Sequence, residues 1–176
     1  MFYLSNIANS ILQRAHETPT IDESEFGSRF QILVSAALRS LDGYSDLYEN
    51  PAAGQPDCYS NQGKAGFEIK CRKDPRVELE ARSWEALTTY KHPRLIAMVV
   101  ASPPYPIWII DLTGQPQTSI SLEEAIPTDR DLEQLMKLRL SELIEATGCA
   151  RIVGGTREEM RKLVGKFANA MFAEAG

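Results

Sequence analysis

Cysteine and histidine are scarce in this sequence, and their scarcity excludes several kinds of site. The three cysteines among 176 residues form no CxxC pair and no even set, so the sequence supports neither a zinc ribbon nor a disulfide framework. Two histidines, His16 and His92, are too few for a catalytic or metal site built on several histidines. No GxSxG pattern occurs, which removes support for a serine hydrolase. Free thiols are typical of a reducing compartment such as the cytoplasm.

Long apolar stretches are also missing. No run approaches the roughly 20 residues that a membrane-spanning helix needs. The amphipathic N-terminal stretch lacks the basic start and unbroken apolar run of a secretory signal. We therefore expect a cytoplasmic protein with no membrane partner. The hydrophobic content of 43%, without low-complexity tracts, is typical of a folded domain and excludes intrinsic disorder.

Positive charge is not in excess, since the formal net charge is −5. Such a sum argues against a nucleic-acid ligand, because proteins that bind nucleic acid usually carry a basic surface. The sum hides a local difference, however. Residues 56–100 contain eight Lys and Arg against six Asp and Glu, whereas residues 1–55 and 101–149 are acidic. A nucleic-acid ligand therefore remains compatible with the sequence, provided that it binds to this basic central segment.

The hydrophobic periodicity predicts an α/β domain. Helices are predicted over 5–16, 24–41 and 129–146 and after the caps Ser83 and Thr156; strands over 56–60, 66–72, 95–102 and 106–112; a loop over 41–55 and an extended piece over 76–81. This order indicates a mixed central sheet flanked by helices. We expect one domain over 1–176, with a core over about 22–112 and a helical C-terminal part over about 128–175.

One predicted hairpin, PDCYSNQGKAGFEIKCR, carries an unusual charge pattern. Strand alternation places Glu68 and Lys70 on one face, and the opposite face receives Phe67, Ile69 and Cys71. Charged side chains within an apolar-flanked strand are costly unless other groups compensate them. The pattern therefore indicates either a functional site or a salt-bridged hairpin.

A second carboxylate belongs to the same hairpin. If the chain turns near Gly63, Asp57 lies beside Glu68 on the partner strand. Two adjacent carboxylates repel each other, and a divalent cation that prefers oxygen ligands relieves the repulsion. The neighbouring Lys70 is a point charge that can polarise a water molecule or hold a phosphate oxygen. These groups suit metal-assisted attack on a phosphodiester.

The hairpin resembles the motif of the PD-(D/E)XK nuclease superfamily, which has the restriction-endonuclease-like fold. The matching residues are Pro56-Asp57, a gap of ten residues, and Glu68-Ile69-Lys70. The resemblance implies that Asp57 and Glu68 bind Mg²⁺, with Mn²⁺ as a possible substitute, that the carbonyl of Ile69 assists, and that Lys70 orients the attacking water. It covers about residues 22–102.

The same resemblance implies further parts of the site and the reaction. A glutamate on the preceding helix is expected, with Glu25 as the candidate and Glu23 as the alternative. The expected activity is endonucleolytic cleavage of DNA to 5′-phosphate and 3′-hydroxyl ends, by a homodimer formed through the C-terminal helices and without an organic cofactor. Apart from the resemblance, phosphate contacts are expected from the basic residues that follow the motif strand, Arg72, Lys73 and Arg76, and from Ser83 at a predicted helix N-terminus.

The sequence leaves other interpretations open. The basic residues after the motif strand also fit a solvated turn, and Ser83 also fits a simple helix cap. A restriction, repair or phage-defence role and DNA or RNA as substrate are equally compatible, with recognition through loops such as 43–55 or 113–128. The alternatives from other classes are a non-catalytic module that binds nucleic acid or protein, and a hydrolase of small phosphate compounds.

Overall fold

An amphipathic helix begins the part of the chain that the structure describes. In the computed structural model this part comprises residues 23–99, 107–114, 118–125 and 127–175, so the helix predicted over 5–16 lies outside it. Helix α1 spans Glu23–Arg39, close to the predicted 24–41. Apolar residues recur along α1 at three- and four-residue steps, and they form its buried face: Phe26, Phe30, Leu33, Val34 and Ala37.

Seven strands lie within the described ranges: β1 (Tyr48–Glu49), β2 (Cys58–Ser60), β3 (Ala65–Arg72), β4 (Arg76–Glu78), β5 (His92–Val99), β6 (Ile107–Asp111) and β7 (Ser119–Ser121). The larger sheet has the order β1-β2-β3-β5-β6. Strands β3 and β5 are parallel, and the other neighbours are antiparallel. Strands β4 and β7 form a separate antiparallel pair. The protein is thus an α/β protein with a mixed sheet, as the sequence predicted at that level.

The predicted loops contain strands that the sequence did not reveal. The prediction of a loop over 41–55 was wrong at Tyr48 and Glu49. These two residues form β1, in which Tyr48 pairs with Tyr59 and Glu49 pairs with Cys58. Similarly, β7 lies within the loop expected over 113–128. Both strands are too short to show alternation, and each depends on pairing with a strand elsewhere in the chain. Local sequence therefore gives no signal for them.

Four further helices lie in the described ranges: α2 (Ala81–Leu87), α3 (Arg130–Thr147), α4 (Cys149–Gly154) and α5 (Arg157–Ala175). The predicted capping box is confirmed, because Thr156 N–H donates to Glu159 Oε2 at 2.8 Å and Glu159 N–H donates to Thr156 Oγ1 at 3.1 Å. The predicted Ser83 cap was wrong. Helix α2 begins earlier, with Glu80 as the extended N-cap residue, and Ser83 is buried in the first turn.

Each face of the larger sheet has its own apolar core. Helix α1 packs on β3 and α3 packs on β6 at one face, and α5 packs on both helices. At the opposite face, α2 and the β4–β7 pair cover Leu95 and Ala97 of β5. Glu68 and Lys70 of β3 belong to this second face, since Phe67 and Ile69 are buried in the first core. No helix in the described ranges is long and apolar enough to cross a membrane.

Candidate functional site

The hairpin register places Asp57 opposite Glu68. Strands β2 and β3 pair antiparallel with Cys58 opposite Phe67, so the next pair outward is Asp57 and Glu68. The carbonyl of Asp57 accepts a hydrogen bond from Asn50 N–H at 2.9 Å, which extends the ladder one residue beyond β1. Asn50, Asp57 and Glu68 consequently form a polar row across three strands. The loop between β2 and β3 is short enough for the sequence to predict the central pair of this row.

Asp57 is held by the backbone of the neighbouring strand. Its Oδ2 accepts a hydrogen bond from Ile69 N–H at 2.7 Å, and the side chain of Gln31 on α1 is a second hydrogen-bond partner. Burial nevertheless raises the pKa of the Asp57 carboxyl, against the lowering effects of the Ile69 hydrogen bond and the Lys70 charge. The carboxylate is therefore fixed in position but incompletely solvated.

Glu68 is the most deeply buried acid of the hairpin, with 4% of the residue exposed. Its Oε1 lies 2.6 Å from Lys70 Nζ, whereas its buried Oε2 has no hydrogen-bond partner among the described residues. Burial is the first cause of the raised pKa of Glu68 and the negative charge of Asp57 is the second, against the lowering effects of Lys70 and of a hydrogen bond from the Asp57 backbone N–H. A buried carboxylate oxygen without a donor is costly. The arrangement thus favours a positively charged ligand at this oxygen.

The donor set fits a hard divalent cation. The carboxylates of Asp57 and Glu68, with the carbonyl oxygen of Ile69, are oxygen donors of the kind that Mg²⁺ prefers. Within the described ranges no group of three or more His, Cys, Asp or Glu side chains could hold a metal ion. Two carboxylates are nevertheless sufficient for Mg²⁺, which usually keeps several waters and is completed by the phosphates of a substrate.

A polar cleft of about 500 Å³ opens over these residues. Its lining includes Glu68, Lys70 and Arg72, which alternate along one face of β3. Gln31 of α1 and Ser83 of α2 also line it. A cleft of this volume accommodates a small ligand or a nucleotide. The site is therefore open to a substrate on the same face of the sheet as the second apolar core.

A second cleft of about 450 Å³ adjoins the first. The two clefts share lining residues that include Gln31, Asn50 and Asp57. Beyond these residues the second cleft is lined by Arg157 and Arg161 of α5. The shared lining places Asp57 on the border between the clefts, so an extended ligand can pass along the carboxylate from one to the other.

The structure brings only some of the expected phosphate-binding residues to the cleft. Arg72 and Ser83 line it, as described above, but Lys73 and Arg76 are not part of the lining. Both of these residues are exposed near the turn between β3 and β4. The contacts expected from Lys73 and Arg76 therefore depend on a ligand that extends beyond the cleft.

Glu25 is likewise not brought to the carboxylate pair. It lies near the start of α1, where it pairs with Arg29 at 3.0 Å and with Arg157 of α5. The hydrogen bond from Arg157 is the main cause of its lowered pKa. Glu25 does not line either of the two clefts. The side chain of Glu23 lies outside the described residues.

Gln31 and Asn50 are the site residues that sequence reasoning missed. Gln31 is the single polar residue in the run Phe30–Val34 of α1, and that position was the available signal. A polar residue within an otherwise buried helical stripe indicates a polar partner on the packed element. Asn50 gave no comparable signal, because it lies in a stretch that is polar throughout. Its position depends on the pairing of β1 with β2.

Comparison with known proteins identifies no relative of this chain. No protein-family model, curated protein or solved structure matches the chain. The interpretation of the cleft therefore depends on its own residues and their geometry.

Asp57→Asn is expected to stabilise the protein at pH 8 in the absence of divalent cations, by about 1 kcal/mol. A carboxyl whose pKa is raised by folding makes stability fall as pH rises from the ordinary pKa through the raised one, because the native state binds more protons there. Removing the Asp57 charge removes this loss and also the repulsion that raises the pKa of Glu68. Thermal unfolding measured between pH 3 and pH 9 in EDTA tests the difference.

The gain should disappear at pH 3, where the carboxyls of Asp57 and Glu68 in the wild type, and that of Glu68 in the variant, are protonated. The matched control is Glu78→Gln, which changes an exposed acid in the lining of the same cleft and should leave the melting temperature within about 1 °C of the wild type. A lower melting temperature for Asp57→Asn at pH 8 would show that the carboxylate stabilises the fold, and that the pair is structural.

Proposed function

We propose that this protein is a Mg²⁺-dependent nuclease that hydrolyses phosphodiester bonds of DNA, and that its sheet is a restriction-endonuclease-like core. The observation that carries the proposal is the register pair of Asp57 and Glu68, with one buried Glu68 oxygen lacking a donor. Among the described residues neither carboxylate is paired with an arginine. A buried carboxylate oxygen without a donor beside a second acid is costly, and a bound cation would offset that cost.

The residues around the pair have distinct tasks in such a reaction. Asp57 and Glu68 would hold Mg²⁺, which supplies charge stabilisation to the phosphorane-like transition state when it is bound. The hydrogen bond from Ile69 N–H to Asp57 fixes the first carboxylate, and the ion pair with Lys70 orients the second. Lys70 also borders the cleft, where its ammonium group can position the attacking water.

Arg72 extends the site along the strand. It lies two residues beyond Lys70 on β3 and lines the same cleft. A guanidinium donates two parallel hydrogen bonds to a phosphate. Arg72 would therefore contact the phosphate group at or next to the scissile bond, and Asp57 and Glu68 would hold the cation.

The test is cleavage of defined substrates by the purified 176-residue chain. We expect supercoiled plasmid and labelled DNA oligonucleotides to be cut in Mg²⁺ or Mn²⁺ and not in EDTA, with 5′-phosphate ends that a ligase can rejoin. Parallel reactions with RNA and with bis(p-nitrophenyl) phosphate define the substrate class. Binding of DNA without cleavage in any metal would indicate a non-catalytic module. Hydrolysis of the small ester alone would indicate a small-molecule hydrolase.

A further inference from the structure

Three tyrosines form a row across the same sheet, and none of them has a part in the proposed reaction. Tyr48 of β1 is the register partner of Tyr59 of β2, and their ring centroids are 5.5 Å apart. Tyr59 lies 5.8 Å from Tyr90, with the ring planes inclined by 35°. We call Tyr48, Tyr59 and Tyr90 the tyrosine row.

A glycine allows the row to reach the centre of the sheet. Gly66 of β3 is the register partner of Tyr59, and the ring of Tyr90 covers it. A Cβ atom at Gly66 would lie 2.6 Å from Cδ2 of Tyr90, so the ring packs directly on the backbone. The aromatic surface consequently extends without interruption from β3 to the edge strand β1.

The tyrosine row runs parallel to the polar row of the site. Gly66 and Glu68 are two residues apart on β3, so their positions face the same side of the sheet, separated by about 7 Å. Directly opposite residues in antiparallel strands also share a face. Tyr59 therefore lies on the same face of the sheet as Glu68, two residues along the chain from Asp57. A nucleic acid held at the carboxylates can therefore reach the tyrosine row over the length of about one nucleotide.

Exposure and charge identify the chemistry of that ligand. Tyr48 is 55% exposed and is one of three exposed large hydrophobic residues in the described ranges. Lys64 and Lys91 are exposed at the adjacent end of β3 and β5, where His92 N–H donates to the Lys64 carbonyl at 3.0 Å. Neither lysine is ion-paired within the described ranges. Aromatic rings flanked by free cations are the features that bind single-stranded nucleic acid.

We propose that the tyrosine row stacks unpaired bases, so that the protein binds single-stranded or locally unwound nucleic acid across this face of the sheet. The proposal rests on the nuclease function only in assuming a nucleic-acid ligand. Bases in a duplex are covered by their neighbours, whereas an unpaired base has a free face for a tyrosine ring. Aromatic side chains on a sheet surface bind two or three such bases in other nucleic-acid-binding folds.

The test measures affinity without cleavage. In EDTA, fluorescence anisotropy should show that wild type binds a labelled 20-nucleotide thymidine strand at least about 10-fold more tightly than a 20-base-pair duplex. Tyr48→Ala should weaken binding of the thymidine strand by about 10-fold, and Tyr48→Phe should retain it. A strand of the same length with abasic positions carries the same phosphates and should bind wild type and Tyr48→Ala equally.

The controls separate this proposal from the nuclease function. Leu138→Ala removes a similarly exposed apolar residue from α3 (54% exposed) and should leave binding unchanged. Equal affinity of wild type for the abasic and thymidine strands, or no effect of Tyr48→Ala, would overturn base stacking even if DNA is cleaved. A changed sedimentation coefficient for Tyr48→Ala, with strand binding intact, would also overturn it and identify a self-association surface. Tyr48-dependent binding without cleavage in Mg²⁺ would retain the tyrosine row and reject the nuclease.

Discussion

Glu68→Gln is expected to lower the rate constant of Mg²⁺-dependent DNA cleavage by at least about 1000-fold. Glutamine keeps the shape of the side chain, but it removes the charge that would hold the cation and the oxygen that lacks a donor. Lys70→Met should cause a comparable loss, because it removes the ammonium group 2.6 Å from Glu68 Oε1. The measurement is single-turnover cleavage of a labelled oligonucleotide at saturating enzyme, pH 8 and fixed Mg²⁺.

The chain offers closely matched controls for both substitutions. Glu80→Gln changes an exposed acid in the lining of the same cleft, and Lys162→Met changes an exposed lysine on α5. Both should cleave within about threefold of wild type, since each removes one charge without touching the carboxylate pair. Thermal unfolding establishes that every variant is folded. Undiminished cleavage by folded Glu68→Gln would remove this site from the reaction.

The central pair of the site was predictable because it depends on local chain geometry. Alternation along β3 sets the faces of Glu68 and Lys70, and a hairpin loop of four residues sets the partner of Glu68. Neither requires knowledge of the remaining chain. The mixed sheet was predictable for a similar reason, since the apolar β-branched runs at β5 and β6 are strong local signals.

The remaining parts of the site depend on contacts between distant segments. Glu25 is drawn away from the carboxylates by Arg157, which lies 132 residues later in the chain. No periodicity in α1 reveals that partner. Gln31 reaches Asp57 only because α1 packs across β3. Local patterns thus predicted the juxtaposition of the two carboxylates, whereas the positions of the surrounding residues depend on tertiary packing.

The tyrosine row shows the same division between local and distant information. Each tyrosine is unremarkable in the sequence, and Tyr48 lies within the stretch that we expected to be a loop. The row exists because β1 pairs with β2 and because Gly66 leaves space for Tyr90. A prediction of base stacking therefore required the register of three strands, whereas the acidic motif required only one hairpin.

Arg29→Leu is expected to destabilise the protein by about 3–5 kcal/mol. Arg29 is 5% exposed and joins α1 to the C-terminal helices. Its guanidinium donates to the carbonyl of Ile152, to the carbonyl of Gly155 at 2.8 Å and to Glu25 at 3.0 Å. Leucine leaves both carbonyls without this donor, and a buried carbonyl without a partner is costly. Urea unfolding followed by circular dichroism gives the free energy of unfolding.

Arg39→Leu is the matched control at the other end of α1. Its side chain is about one-third exposed, lies 3.9 Å from Glu49 and donates one long hydrogen bond, of 3.3 Å, to the Leu47 carbonyl, so its removal should cost only about 1 kcal/mol. The loss of unfolding free energy in Arg29→Lys should lie between those of Arg29→Leu and Arg39→Leu. Lysine keeps the charge, but it cannot direct a planar set of donors at two carbonyls and a carboxylate. If Arg29→Leu unfolds within 1 kcal/mol of wild type, burial of the guanidinium offsets its hydrogen bonds, and the apolar contacts and the ion pairs of Arg157 and Arg161 suffice to hold the C-terminal helices.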